Sequence, residues 1–398
     1  MSATSNLKLP IYLDNHATTS VDPRVLEAML PWFSENFGNP ASESHSFGWE
    51  AADAVDTART QVAAALGADP KEIIFTSGAT ESNNIAIKGV ARFYRETRDH
   101  VITLATEHKC VLESCQRLER EGIEVTVLPV DSEGVVDLDA FGAALTPRTV
   151  LASVMAANNE IGVLQPMAEL GRLCRENGTF LHSDVAQAVA KVPLDVEAMN
   201  IDLLSISGHK IYGPKGIGVL YVRRRPRVRI DPLMDGGGQE RGIRSGTLAT
   251  PLIVGVGEAC AVGVAGLGEE AYQLGTLRDR LYEGLCTGLD GVHLNGAAGD
   301  RRLPGNLNVS FEGVEAGALL AAVDDVALSS GSACTSASLE PSYVLRAIGS
   351  SDKLAFGSIR FGLGRWTTKP EIDYTVERVV TETRRLRAAS RTAVGVAE

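Results

Sequence analysis

The chain has 398 residues, 44% of them hydrophobic and 22% charged, with a net charge of −12. That is more than one small core holds, so two domains are expected, and the composition is that of a globular protein. The acidic balance argues against wholesale nucleic-acid binding, and six cysteines without a C-x-x-C pair exclude a disulfide framework or a metal site made by cysteines alone.

The opening M-S-A-T-S-N-L-K-L-P has no apolar signal core and too few basic residues for a transit peptide. Trp49 to Leu66 has the Ala-rich, near-3.6 spacing of a helix. Short apolar runs follow at 72–77, 100–104, 125–130, 149–155, 179–184 and 203–207, each succeeded by polar or helical sequence. Buried strands with helices between them predict an open, mostly parallel α/β sheet, whose ligands collect at the carboxyl ends of the strands. Thr80, His108, Asn159, Asp184, His209 and Lys210 all sit at or just past such ends.

Several of these ends carry chemistry. In F-T-S-G-A-T-E-S-N-N (75–84) a small-residue turn leads from strand to helix. The backbone N–H groups of Gly78, Ala79 and Thr80 there make an anion site, although such a turn can also simply cap a helix. It is not a Walker loop, because no G-K-[ST] follows. His108, in T-E-H-K, can stack on a ring or shuttle protons, or pack structurally. In F-L-H-S-D-V-A-Q (180–187), Asp184 ends a buried strand. A carboxylate there needs a cationic partner such as a protonated pyridine nitrogen, with a helix N-cap as the plainer alternative. In S-I-S-G-H-K-I-Y-G-P-K-G-I-G (205–218), Lys210 follows a strand, flanked by Ser207, His209 and glycines. That suits a Schiff-base lysine beside a phosphate, or else a Gly-rich turn with a surface lysine.

The run R-R-R-P-R-V-R (223–229) reads as a solvated loop, and Pro251 to Gly268, broken by Glu258, as a closely packed buried helix rather than a membrane span. Beyond about residue 262 the texture becomes that of a smaller α+β domain: a helix at 269–289, strands at 305–311 and 358–364, an Ala-rich helix at 315–323, and a terminal helix begun by T-K-P-E (368–371) with Thr368 as N-cap. Arg360, a charge inside an apolar strand, calls for an anion, either a substrate carboxylate or a salt-bridge partner. S-S-G-S-A-C-T-S-A-S (329–338) sets Cys334 alone among small polar residues. Free cysteine is usually buried, so a thiol on a solvated loop points to chemistry. An imine-forming lysine, a phosphate cradle, a carboxylate for a pyridine nitrogen and an arginine for a carboxylate together describe pyridoxal phosphate and an amino acid.

From I-Y-L-D-N-H-A-T-T (11–19) to the terminal helix, the sequence resembles the cysteine desulfurases of iron–sulfur cluster assembly. T-S-G-A-T-E-S-N-N, T-E-H-K, N-N-E-I-G, H-S-D-V-A-Q, S-G-H-K-I-Y-G-P-K-G-I-G, R-S-G-T and S-S-G-S-A-C-T-S carry the likeness, the last of them that of the long-loop branch. The resemblance implies a fold-type-I pyridoxal-phosphate transferase of α/β class, with a mostly parallel seven-stranded sheet. Its large domain would span 16–262, and a small α+β domain, 1–15 and 263–398, would carry the cysteine loop at about 327–340. It also implies a cytoplasmic homodimer acting on L-cysteine, and an iron–sulfur scaffold or sulfur-carrier protein as acceptor, with neither nucleic acid nor membrane as partner.

Carried over residue by residue, Lys210 bonds the cofactor and moves the Cα proton. Asp184 pairs with the pyridine nitrogen, and His108 stacks on the ring and assists proton transfer. Gln187 and Asn159 lie near the cofactor oxygen or the substrate carboxylate. Ala79, Thr80, Ser207 and His209 hold the phosphate, Thr247 reaches the phosphate of the neighbouring subunit, and Arg360 binds the substrate carboxylate. Cys334 takes the sulfur as a persulfide, leaving alanine. No resident metal is expected; Cys334 is at most a transient ligand of an iron–sulfur cluster shared with a scaffold. After Arg391 only T-A-V-G-V-A-E follows, shorter than the docking tail of many housekeeping members, which leaves open whether the acceptor serves housekeeping assembly, nitrogen fixation or tRNA thiolation.

Overall fold

The computed structural model describes residues 7–330 and 340–395. In chain order its elements are β1 (Ile11–Tyr12), α1 (Pro23–Met29), α2 (Pro31–Ser34), α3 (Ser46–Leu66), β2 (Ile73–Thr76), α4 (Ala79–Tyr94), β3 (His100–Leu104), α5 (Lys109–Arg120), β4 (Glu124–Leu128), α6 (Leu138–Ala144), β5 (Thr149–Ser153), α7 (Met167–Asn177), β6 (Phe180–Asp184), β7 (Leu203–Ser207) and β8 (Gly218–Val222). There follow α8 (Thr250–Ala265), α9 (Leu267–Gly288), β9 (Val292–Leu294), β10 (Asn306–Phe311), α10 (Ala316–Ala322), β11 (Val326–Ala327), β12 (Ser329–Ser330), α11 (Tyr343–Ala347), α12 (Asp352–Phe356), β13 (Ser358–Gly362) and α13 (Lys369–Gly395).

Seven strands form the main sheet in the order β2-β8-β7-β6-β5-β3-β4. Only β8 runs against its neighbours, so the other six strands end at one edge. β2, β3, β5, β7 and β8 are buried at every residue, as strands covered by helices on both faces must be. That burial is why their sequences read as unbroken apolar runs rather than as alternation. A second, antiparallel sheet, β12-β13-β10-β9, organises its own cluster of Ile11, Leu13, Leu281, Leu307, Phe311, Ile359 and Phe361.

α8 and α9 meet at Gly266 with a bend of 72° and part company there. α8 lies against α3, and a Cβ on Gly257 would stand 2.7 Å from Ala58, so only glycine allows this approach. α9 packs instead on α13, where Gly284 and Gly288 face Val376 and Val380. Among the described residues no single helix is long and apolar enough to cross a membrane. The expected terminal cap is present: the backbone N–H and hydroxyl of Thr368 both donate to Glu371 Oε2, at 2.7 and 2.9 Å.

One expectation is corrected. The basic run at 223–229 is not uniformly solvated, because Arg223 is 1% exposed. Its guanidinium donates to Glu197 and to the carbonyls of Val196 and Ile201 and stands 3.1 Å from Asp202, so it stitches the end of β8 to the entry of β7. A buried arginine is tolerable when its donors are filled in this way. Arg224, Arg225, Arg227 and Arg229 are exposed, as the sequence reading holds.

Candidate active site

The carboxyl edge of the main sheet gathers the expected residues. Gly218 of β8 lies opposite Thr76 on one side and Ser207 on the other. The turn 77–80 and the Ser207–Lys210 turn therefore leave the sheet side by side. A Cβ on Gly218 would stand 2.5 Å from Gly78 Cα, so this glycine is what lets β8 pass against the turn. Nothing lies within 4 Å of a Cβ built on Gly78, which leaves the start of α4 open to an anion. Thr80 is exposed at that start, and Glu81 braces it from behind. Glu81 accepts from the Ser77 N–H at 2.7 Å and from Arg244 at 2.8 Å. Burial works against the charge of Glu81, but these donors hold its pKa below the ordinary carboxylate value.

Asp184 ends β6, buried and two residues short of Ser207 on the neighbouring strand. Its Oδ2 accepts from Asn83 Nδ2 at 2.7 Å and its Oδ1 from the Ala186 N–H at 2.9 Å. The plainer reading, a helix N-cap, is not met: a turn and not a helix follows at 186–190, although Asp184 accepts from the Ala186 N–H as a cap would. His108 caps α5, with Nδ1 3.3 Å from the Cys110 N–H and 3.0 Å from Cys110 Sγ.

Lys210 closes a turn of 3-10 helix after β7. Its Nζ donates to the carbonyls of His16 and Ala17, each at 2.6 Å. His209 stands 3.1 Å from Thr18 Oγ1; burial, with Lys210, Lys215 and Lys191 nearby, lowers its pKa to about 4, so its ring is neutral at neutral pH. Gln187 is buried and bonded to both the ring and the carbonyl of His16.

Arg360, 1% exposed in β13, donates from Nη1 to the Asn159 carbonyl and from Nη2 to Asp14 Oδ1, each at 2.9 Å. The salt-bridge reading of Arg360 is found in its contact with Asp14, and its Nε is buried with no partner among the described residues. Thr247 is exposed on the 231–249 segment. Glu240 anchors that segment: it is buried, takes a two-point bond from Arg59, and accepts from the Phe75 N–H.

Cys334 lies outside the described residues, but both flanks of its segment are placed. Upstream, Ser329 and Ser330 pair with Arg360 and Ile359. Downstream, Ser342 donates to Glu160 Oε2 and Tyr343 donates from its hydroxyl to the Glu107 carbonyl at 2.7 Å. Glu160 adjoins Asn159, and Glu107 adjoins His108. The two flanks, 329–330 and 342–343, thus reach the strand of Arg360 and the neighbours of Asn159 and His108.

Sequence reasoning missed the N-terminal contributors Asp14, His16 and Ala17, and also Asn83, Glu107 and Glu160. Glu107 is fully buried with Oε2 unpartnered among the described residues, and burial pushes its pKa well above the usual value. Burial likewise raises Glu160 to about 7, against the Ser342 hydroxyl and the nearby Arg360 charge. The only available signal was that each glutamate adjoins a residue already singled out, His108 and Asn159.

An aminotransferase class-V family model matches residues 11–375. The cysteine desulfurase IscS of Rickettsia rickettsii (strain Iowa) is 58% identical over 386 residues, 97% of this chain and 94% of that protein. Among solved structures, a NifS-like protein superposes with a TM-score of 0.87 at 38% identity, over 93% of this chain and 98% of that one. SspA in complex with cysteine gives a TM-score of 0.79 at 40% identity, over 90% and 100%. With its matching fold and strand-end residues, this chain belongs to the class-V aminotransferase family, among its cysteine desulfurases.

Proposed function

We propose that the protein is a pyridoxal-phosphate-dependent cysteine desulfurase that converts L-cysteine to L-alanine and transfers the sulfur to Cys334. The observation that carries this reading is the bracketing of residues 331–339 by Arg360 on one side and Glu160 and Glu107 on the other. An aminotransferase on the same fold has no need of a cysteine between those two flanks.

The residues fit the cofactor. The open turn at Gly78, with Thr80, Ser207 and neutral His209, suits a phosphate, and the buried Asp184, oriented by two hydrogen-bond donors, suits a pyridinium nitrogen. Unpartnered buried atoms on Arg360 and His16 mark polar capacity that the protein alone leaves unused. When bound, pyridoxal phosphate supplies the electron sink that makes the substrate Cα–H acidic and weakens the Cβ–S bond.

The chain's own groups supply the rest. Arg360 and the Asn159 region hold the substrate carboxylate. Lys210 takes the Cα proton on Nζ once that amine is free. His108 moves the proton that turns the Cys334 thiol into a thiolate, since a free thiol of pKa ~8.5 is mostly protonated at neutral pH. The thiolate forms an S–S bond with the substrate sulfur. The Cβ–S electron pair stays with carbon, which is protonated to the methyl group of alanine, leaving a persulfide.

A homodimer belongs to the proposal. Leu30, Phe33, Phe37 and Trp49 are more than half exposed on one stretch of chain, a patch that a subunit interface would cover. Thr247 is exposed where it can serve a neighbouring subunit's phosphate. We place the domain boundary near residue 262, close to where α8 and α9 diverge, and the protein in the cytoplasm, where thiols stay reduced. An iron–sulfur scaffold or sulfur-carrier protein then takes the persulfide sulfur. The test is alanine release from L-cysteine by the purified, cofactor-loaded protein. Lys210→Ala should abolish alanine and the cofactor's visible absorption band together; retention of both would overturn the reading.

A further inference from the structure

Residues 14–22 run from β13 to the turn of Lys210. Asp14 and Asn15 lie against Gly362 at the end of β13. The carbonyls of His16 and Ala17 accept from Lys210 Nζ, and Thr19 donates to the His209 carbonyl through its N–H at 2.9 Å and its hydroxyl at 3.0 Å. Both ends of the segment are gripped by arginines from one stretch of chain. Arg360 of β13 takes Asp14, and Arg365, three residues past the end of β13, donates from Nη1 to Asp22 Oδ2 at 2.7 Å. Arg24 also bonds Asp22, but it belongs to α1, the helix that Asp22 caps, and so ties that carboxylate only to its own helix. Arg365 Nε reaches Glu270 of α9 at 2.7 Å.

Tyr212, two residues after Lys210, meets the same arginine. The Arg365 guanidinium carbon stands 4.1 Å from the centroid of the Tyr212 ring. The Tyr212 hydroxyl accepts from the Arg365 N–H at 2.6 Å, and its carbonyl accepts from the Asp22 N–H at 2.9 Å. The backbone of Tyr212 stands at φ 64°, in the left-handed region that glycine enters freely and a bulky residue only at a cost in free energy. A side chain kept at such a position supplies what glycine would not. Here it supplies the stack on Arg365 and the acceptor for its N–H.

We infer that Tyr212 and Arg365 are positioning residues that lock the strand of Arg360 to the turn of Lys210, and so set the distance between the substrate carboxylate and the amine that takes its Cα proton. The role rests on the desulfurase reading of Arg360 and Lys210. Such a lock has work to do because Lys210 follows β7 of the main sheet while Arg360 stands in the antiparallel sheet, so no ladder of backbone hydrogen bonds fixes their spacing. Without the Arg365 guanidinium, residues 14–22 keep their tie to β13 at Asp14 and Asn15 but lose it at Asp22, the end that bonds Tyr212. Charge-assisted hydrogen bonds and a cation stacked on an aromatic face suit the task, since both are directional as well as attractive.

The test uses the full-length, pyridoxal-phosphate-loaded protein with Arg365→Met, Tyr212→Gly and the double variant; Tyr212→Phe, which keeps the ring, replaces Tyr212→Gly if the latter does not fold. Amide hydrogen exchange, read by mass spectrometry, follows residues 14–22 with no turnover. Deuterium entry at Cα of L-alanine in D2O, read by NMR, follows the base against a held carboxylate with no need of Cys334. Each single variant should keep the visible absorption band, lose amide protection in 14–22 while β5–β7 stay protected, and slow Cα exchange about tenfold or more. The double variant should be no slower than the slower single, because both residues act at one contact. Unchanged protection in 14–22, an unchanged Cα exchange rate, or losses that multiply in the double variant overturn the inference. A wild type that leaves alanine unexchanged counts instead against the desulfurase reading, and the amide protection still decides whether the lock exists.

Discussion

Arg360 joins three parts of the chain through one guanidinium, taking Asp14 from the N-terminal segment and the Asn159 carbonyl from the turn that follows β5 while itself standing in β13. Its Nε has no partner among the described residues, and the proposed function assigns that capacity to the substrate carboxylate. Arg360→Lys keeps the charge but loses the planar fork. Losing a hydrogen bond to a charged group costs about 1.5–3 kcal/mol, so kcat/KM for cysteine should fall about 10–100-fold, mostly through KM. Steady-state kinetics with an unchanged KM would contradict the assignment. At this scale the sequence was informative where type and position are local, as for Asp184, Lys210 and His108 at strand ends. It was silent on Asp14 and His16, whose partners lie 346 and 171 residues away in Arg360 and Gln187. The charge of Arg360 inside a strand announced that an anion was needed, not which residue would supply one.

Elements set the frame on which these residues meet. The strands at 100–104 and 203–207 are found where their apolar runs predict them, because buried parallel strands carry that pattern without interruption. β8 carries an apolar run, Val219–Val222, that was not singled out because it begins at Gly218 in a Gly-rich motif, and its reversed direction follows from pairing rather than from composition. The glycine in α8 that touches α3 yields a direct prediction. Gly257→Ala puts a methyl group 2.7 Å from Ala58 and should destabilise the fold by about 1–3 kcal/mol, read by denaturant unfolding. The Glu160–Ser342 contact yields another. Burial raises Glu160 from 4.5 to about 7, so the folded state binds the proton more tightly than the unfolded chain. Stability from this group is therefore present below pH 4.5 and lost as pH rises toward about 7. Glu160→Gln removes the titration, so wild type should lose about 3 kcal/mol relative to the variant between those limits, visible as diverging melting temperatures across a pH series. Parallel curves would rule out a buried, titrating Glu160.

At the scale of the whole molecule, the exposed Phe33, Phe37 and Trp49 and the outlying Thr247 make sense in an assembly of two chains. Light scattering should give a dimer mass, and Phe37→Asp should shift it toward monomer and weaken cofactor retention, because a phosphate would lose its Thr247. A monomeric wild type that holds the cofactor fully would refute that arrangement. The proposal turns on Cys334, and the residues flanking its segment contact the strand of Arg360 and two buried glutamates. Peptide mass spectrometry of the loaded enzyme after a brief exposure to L-cysteine addresses that point directly. The prediction is one added sulfur atom on the peptide containing Cys334, removed by reductant and absent in Cys334→Ser, which should keep the cofactor's absorption band but make no alanine. Unmodified Cys334 in an enzyme that turns cysteine over, or normal turnover in Cys334→Ser, would contradict the central claim.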